Sequence, residues 1–108
     1  MMLMFHHRYC NSRVAVFSAA GDHLHDIRGD WSVVHSIVLY EAEDAVCVAD
    51  REGKKIDCVG AGLRSPQFMG QVSSRIDKVG RVYGITGRGS ALLAVNGKGA
   101  RYDPPVRV

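Results

Sequence analysis

Three side chains that lie far apart in the sequence carry the chemistry most typical of an enzyme: Tyr9, His35 and Arg51. A phenol can donate or accept a proton, an imidazole can bind a metal ion, and a guanidinium stabilises negative charge. By residue type alone, each also has a structural interpretation. Tyr9 would be an exposed aromatic at a strand edge, His35 a histidine at a strand start, and Arg51 a solvated cation on a turn. The strands and turns that position these side chains distinguish between the two interpretations.

A β-hairpin is predicted around Arg51. Ala45–Ala49 is short and apolar, as expected for a buried strand, Asp50–Lys54 has the composition of a turn, and Lys55–Val59 alternates polar and apolar residues. Cys47 and Cys58 lie at equal distances from the centre of this turn, so the hairpin places them opposite each other, where Cβ atoms are about 4.5–5.5 Å apart. This spacing favours a disulfide over the alternative, two buried free thiols. Cys10 would then be unpaired within the chain.

The hairpin belongs to a repeating pattern of strands and turns. Tyr9–Phe17 matches Arg51–Val59 at an offset of 42 residues, and Ala91–Gly97 is a weaker copy of the strand that begins at Ala45. Repeats of roughly forty residues built from short strands are typical of β-propeller blades. The sequence therefore predicts an all-β fold with no long helix. Residues 60–78 are expected to form a loop and an outer strand. The seven other expected strands are Val14–Phe17, His23–Ile27, Ser36–Tyr40, Ala45–Ala49, Lys55–Val59, Val82–Ile85 and Ala91–Asn96.

Four segments appear in the order in which a known enzyme family has them: Tyr9–Arg13, Val34–Leu39, Cys47–Glu52 and Leu93–Lys98. They resemble the NHL-repeat propeller of peptidyl-α-hydroxyglycine α-amidating lyase (peptidylamidoglycolate lyase), the second enzyme of peptide C-terminal amidation. This resemblance implies a fragment of about two to two and a half blades of a six-bladed propeller. It covers residues 9–98, preceded by an N-terminal extension at 1–8 and followed by a divergent C-terminal tail at 99–108.

The resemblance also implies a reaction and roles for the three side chains. The family cleaves peptides ending in α-hydroxyglycine to the peptide amide and glyoxylate, with zinc bound by three histidines from three blades. His35 matches one zinc ligand, and the other two are absent from this chain. Tyr9 matches the general base and Arg51 its electrostatic partner. In the family, the cysteine that matches Cys10 pairs with a cysteine further upstream. Calcium stabilises the family's propeller, and whether calcium has a role in this chain is left open.

This chain departs from the family pattern next to two of these residues. Val34 stands where the family has a proline before the histidine, and His7-Arg8 stands where it has Asp-Gly before Tyr9. These departures keep a second function open, a non-catalytic NHL-repeat interaction fragment. We expect the chain alone to be inactive, because one histidine cannot hold catalytic zinc. If the lyase interpretation holds, Tyr9 and Arg51 each follow the inner strand of a blade. His35 then begins the neighbouring inner strand, its imidazole without a structural partner.

Composition excludes several other classes of protein. The chain has 108 residues, is 46% hydrophobic and carries a net charge of +3, which bounds it to at most one domain. Lysines and arginines are scattered, so a nucleic-acid partner is not expected. No apolar run is long enough for a transmembrane helix, and the apolar start at 1–5 is too short for a signal peptide. The cysteine pair and the resemblance favour the secretory pathway or an extracellular location, as expected for a piece of a longer secreted protein.

Overall fold

The computed structural model describes residues 2–6 and 12–96. Within these residues, nine strands form three antiparallel sheets, in the orders β1-β2-β3, β4-β5-β6-β7 and β8-β9. A short 3₁₀ turn, Pro66–Phe68, lies in the connection from β6 to β7. The strands are β1 Met2–His6, β2 Arg13–Phe17, β3 His23–Arg28, β4 Val34–Tyr40, β5 Ala45–Asp50, β6 Lys55–Gly60, β7 Val72–Ile76, β8 Val82–Arg88 and β9 Ala91–Asn96.

The predicted all-β class is confirmed, and all seven predicted strands are present, most of them one to three residues longer than expected. The loop and outer strand expected at residues 60–78 correspond to the 3₁₀ turn and β7. β1 was not predicted, and it lies within the segment that the resemblance leaves as an extension. β8 continues to Arg88, so the turn to β9 falls at Gly89 and Ser90, where Gly89 adopts a positive φ of 59°.

The second sheet lies between the other two, and this explains the continuous apolar run of β5. Val46 and Val48 face a core shared with the first sheet, whereas Cys47 and Ala49 face a core shared with the third. A strand buried on both faces does not alternate between polar and apolar residues. Burying each such valine side chain contributes about 1.5–3 kcal/mol. The other buried members of the first core are Val14, Val16, Ile27, Trp31, Val34, Val59 and Ala61, and those of the second are Ile56, Val79, Val82, Ile85 and Leu92.

The register of the β5–β6 hairpin is the predicted one. Cys47 pairs directly with Cys58, their Cα atoms are 3.9 Å apart, and the two residues form a disulfide. The alternative of two free thiols is therefore wrong. A closed segment of this length constrains the unfolded chain by about 3 kcal/mol on the loop-entropy account. Cys10 lies outside the described residues.

A buried carboxylate ties the first core to the edge of the second sheet. Asp57 of β6 is 1% exposed, and its oxygens accept hydrogen bonds from the Arg75 guanidinium on β7 at 2.6 and 3.1 Å. The Trp31 indole donates to the same carboxylate at 3.1 Å, and the Lys55 ammonium lies 3.8 Å away. Burial disfavours the charged form, but the hydrogen bonds from Arg75 and Trp31 outweigh it and hold the pKa of Asp57 below its usual value of 3.8.

No helix among the described residues has the length and apolar character needed to span a bilayer.

We expect the contribution of Asp57 to stability to be pH-dependent. Because the pKa of Asp57 is lowered in the folded state, its contribution is complete above about pH 4 and is lost as the pH falls through the folded pKa. Asp57→Asn should therefore lower the free energy of unfolding at pH 7 by about 1–3 kcal/mol, a difference that shrinks towards pH 2. Urea titrations across this range measure it.

The exposed Asp22 provides the matched control, since Asp22→Asn should change the free energy of unfolding by less than about 0.5 kcal/mol at every pH. A difference between wild type and Asp57→Asn that stays constant from pH 7 to pH 2 would contradict the assignment.

Candidate functional site

His35 occupies an irregular position at the start of β4. Val34 pairs with Asp50 and Ser36 pairs with Ala49, so His35 is the extra residue of a β-bulge between them. Bulges next to the ends of strands commonly redirect a side chain. The half-buried imidazole of His35 is thereby turned towards β8 of the third sheet.

Tyr83 occupies the corresponding position in β8. Val82 pairs with Asn96 and Gly84 pairs with Val95, which makes Tyr83 the extra residue of a second bulge. His35 Nδ1 lies 2.6 Å from the Tyr83 carbonyl oxygen, and the two rings meet edge to face with their centroids 5.3 Å apart. One residue further along β4, the Ser36 hydroxyl accepts a hydrogen bond from the Ile85 amide at 3.1 Å. The prediction that the His35 imidazole lacks a structural partner is therefore wrong.

Arg51 also contacts the Tyr83 ring. Its guanidinium carbon lies 5.6 Å from the ring centroid, within the range of a cation–π interaction. Arg51 Nε donates to Glu52 Oε1 at 3.0 Å, and the second oxygen of Glu52 lies 3.8 Å from Arg81 Nε. The structure thus brings His35 and Arg51, sixteen positions apart, around one tyrosine ring.

The strand assignments around Arg51 need one correction. Arg51 follows β5, which is the second strand of its sheet, whereas the first strand is β4, which carries His35 and packs against β8. The expectation that Arg51 follows one inner strand while His35 begins the neighbouring inner strand is therefore wrong, because β4 and β5 pair within the same sheet. Because β4 and β5 are antiparallel, the start of β4 and the end of β5 still lie at the same end of the sheet, which keeps the two side chains close.

The buried Asp50 carboxylate fixes both of these ends. One oxygen accepts hydrogen bonds from the Val33 amide at 2.9 Å and the Gly53 amide at 3.0 Å, and the other accepts from the Ser32 amide at 3.0 Å. The Arg51 amide in turn donates to the Val33 carbonyl at 2.9 Å. Asp50 therefore connects the turn that carries Arg51 to the residues that lead into His35.

Tyr9 lies outside the described residues, so its predicted role stays a prediction. The first described residue after it is Ser12, which is 5% exposed. The Ser12 hydroxyl donates to the Ser32 carbonyl at 3.1 Å and accepts from the Val34 amide at 3.3 Å. The end of the β1–β2 connection thus lies beside the start of β4, at the end of the sheet where His35 and Arg51 meet.

A metal site is at most partly represented here. Within residues 2–6 and 12–96, no group of three His, Cys, Asp or Glu side chains could hold an ion. His35 itself has the orientation of a ligand, because a carbonyl oxygen can only accept a hydrogen bond and Nδ1 must therefore carry the proton. Metal-binding histidines usually donate one ring N–H to such a group and coordinate through the other nitrogen. The chemistry of His35 thus fits one zinc ligand bound through Nε2.

Sequence reasoning missed Tyr83, which makes contacts with both His35 and Arg51. Val82–Ile85 has the pattern of an ordinary strand, and nothing in it indicates a bulge. The available signal was the match of Val82-Tyr83-Gly84-Ile85 to Val34-His35-Ser36-Ile37, in which a ring-bearing residue follows a buried valine in both segments.

The comparisons with known proteins agree with the sequence motifs. The chain is 40% identical over 96 residues to peptidyl-alpha-hydroxyglycine alpha-amidating lyase 2 of Drosophila melanogaster, which covers 82% of the chain and 24% of that protein. It is 36% identical over 101 residues to a probable amidating lyase of Caenorhabditis elegans, covering 82% of the chain and 29% of the relative. It is 34% identical over 101 residues to the rat peptidylglycine alpha-amidating monooxygenase, covering 83% of the chain and 10% of the relative.

The resemblance to the amidating lyases is confirmed. No family model matches the chain. The chain spans about a quarter of the length of the fruit-fly and nematode lyases that it matches.

Asp50→Ala should destabilise this end of the second sheet more than a substitution at an exposed aspartate does. It leaves three backbone N–H groups without their acceptor, and bonds to a charged acceptor contribute about 1.5–3 kcal/mol each, so we expect a loss of at least about 3 kcal/mol. The free energy of unfolding in urea measures this loss. Asp77→Ala, at an exposed aspartate after β7, should cost less than about 0.5 kcal/mol. Equal costs for the two variants would show that the Asp50 carboxylate does not hold this end together.

Proposed function

We propose that this chain is part of an NHL-type β-propeller lyase that releases glyoxylate from peptides ending in α-hydroxyglycine. The observation that carries the proposal is the convergence of His35 and Arg51 on the Tyr83 ring at one end of the sheets. The names of the relatives support it, since two are peptidyl-α-hydroxyglycine α-amidating lyases. Because no group of three possible metal ligands lies among residues 2–6 and 12–96, the chain alone is inactive in this proposal.

The reaction breaks the bond between the amide nitrogen and the hydroxylated carbon of the substrate. In the proposal Tyr9, in its phenolate form, accepts the hydroxyl proton and becomes the neutral phenol. The oxygen electron pair then forms the carbonyl of glyoxylate, while the C–N electron pair remains on nitrogen, which takes up a proton to give the peptide amide. Arg51 stabilises the negative charge that develops during this transfer, and its guanidinium is pre-positioned by Glu52 and the Tyr83 ring.

His35 would hold zinc through Nε2, together with two histidines contributed by other blades. When bound, zinc would polarise the substrate hydroxyl and lower its pKa. The bulge and the Tyr83 carbonyl determine the direction in which the His35 ring points, so this chain supplies one ligand whose tautomer is already fixed. Calcium in the complete domain remains part of the family expectation.

We infer that the complete protein is made in the secretory pathway. The disulfide of Cys47 and Cys58 supports this inference, because such bonds persist in oxidising compartments.

The sheet architecture supports the propeller part of the proposal. Among the described residues, three antiparallel sheets of three, four and two strands agree with consecutive propeller blades, which have up to four strands each.

A second candidate is a non-catalytic NHL-repeat interaction fragment. Val34 favours it, because a proline before the histidine would fix the backbone there and valine does not. The Val34 amide instead donates to the Ser12 hydroxyl, a hydrogen bond that proline could not make. The start of β4 is thus held in this chain by a hydrogen bond to Ser12 instead of by a proline, and this arrangement is compatible with either function.

A segment graft distinguishes the two candidates. We expect the chain, placed in the fruit-fly amidating lyase in place of the matching segment, to support zinc binding and glyoxylate release. In that graft His35→Ala should remove the metal, because a ligand is lost. Tyr9→Phe should keep the metal but lower turnover by about 100-fold or more, because the proton acceptor is lost and the ring is kept. Metal content and glyoxylate production are the two measurements.

His25→Ala, at a histidine of β3 away from the site, is the matched control and should change neither measurement. A folded graft that binds no zinc would favour the interaction fragment. Unchanged turnover in Tyr9→Phe would refute the role of Tyr9.

A further inference from the structure

We propose that Tyr83 is a positioning residue that fixes the tautomer of His35 and the direction of the Arg51 guanidinium. The inference rests on the proposed function, because it assigns Tyr83 to the same site. Its claim about geometry is nevertheless tested on the chain itself, without metal or substrate.

The first argument is that Tyr83 contacts the imidazole twice. Its carbonyl oxygen accepts the Nδ1 proton of His35 at 2.6 Å, which selects the tautomer with Nε2 unprotonated. Its ring meets the imidazole at an interplanar angle of 74°, which restricts rotation of the imidazole about its own axis. A single residue thus sets both the protonation pattern and the plane of the imidazole.

The second argument is that the same ring orients Arg51. A guanidinium at 5.6 Å from a ring centroid is attracted to the ring face, and Glu52 holds Nε of that guanidinium at 3.0 Å. The Arg51 side chain is 27% exposed, so water competes only partly with these contacts. The ring and the carboxylate together restrict the direction of the Arg51 guanidinium.

The third argument is that the backbone is adapted to these contacts. Both His35 and Tyr83 are the extra residues of bulges, at the starts of the two strands that pack against each other between the second and third sheets. Bulges commonly redirect a side chain, and these two lie at matching positions, where His35 and Tyr83 meet. Among the described residues, the contacts of Tyr83 with His35 and Arg51 are made by its ring and its carbonyl, which predicts that phenylalanine can replace it.

The test uses the full chain, labelled with ¹⁵N and free of metal. In the wild type, His35 should be the Nδ1–H tautomer with a slowly exchanging proton, and the Arg51 side-chain protons should show the upfield shift caused by a ring face. Tyr83→Phe should keep both signatures. Tyr83→Leu should lose the upfield shift of Arg51, because the ring is removed. It should keep the Nδ1–H tautomer of His35, because residue 83 still supplies the carbonyl that accepts this proton, but the proton should exchange faster without the ring beside the imidazole.

Tyr40→Leu is the matched control. Tyr40 lies at the far end of β4, packs against Gly87 of β8, and donates its hydroxyl proton to the Ala91 carbonyl at 3.1 Å. It should lose a similar amount of packing between the same strands and leave both signatures of the site intact. Equal changes in Tyr83→Leu and Tyr40→Leu would overturn the positioning role.

If Tyr83→Leu does not fold, the spectra of the wild type and of Tyr83→Phe still test the positioning role of Tyr83. A wild-type His35 in the Nε2–H tautomer would overturn the proposal, and so would loss of the Arg51 shift in Tyr83→Phe. None of these signals depends on zinc or turnover, so failure of positioning is distinguishable from failure of the lyase function in the graft.

Discussion

The buried Asp50 carboxylate is the constraint on which the geometry of the candidate site depends. It is inaccessible to solvent and accepts hydrogen bonds from three backbone N–H groups. These belong to two segments, the residues leading into β4 and the turn after β5. A buried charge is tolerable only when its hydrogen bonds compensate for lost hydration. The hydrogen bonds that compensate for the burial of Asp50 therefore also fix the turn that carries Arg51 and the backbone that leads into His35.

A second constraint acts between the sheets. β4 and β8 belong to different sheets and share no backbone ladder. The His35 imidazole bonds to the Tyr83 carbonyl, and the Ser36 hydroxyl accepts from the Ile85 amide, so side chains of β4 satisfy backbone groups of β8. Polar side chains at a sheet junction thus serve both the packing and the candidate chemistry. This accounts for the position of a potential metal ligand at a structural contact.

Much of the fold could be predicted from the sequence, because it is encoded locally. The apolar run of β5, the turn composition after it and the symmetric cysteines specify one hairpin register, and the structure has that register. The site was less predictable. Bulges depend on how two strands are paired, which alternation within one strand does not reveal, and Tyr83 was therefore overlooked. The partner of His35 comes from a residue 48 positions away, a separation that no local pattern encodes.

Contacts of the Tyr83 ring test the central claim most directly, namely that distant residues are held around one ring at one end of the sheets. A nuclear Overhauser experiment on the full chain measures whether protons of that ring lie within a few ångströms of other side chains. We predict cross-peaks from the Tyr83 ring to both the His35 imidazole and the Arg51 side chain, alongside the backbone cross-peaks of the β5–β6 hairpin. A spectrum with the hairpin cross-peaks present and no cross-peak from Tyr83 to either side chain would contradict the account.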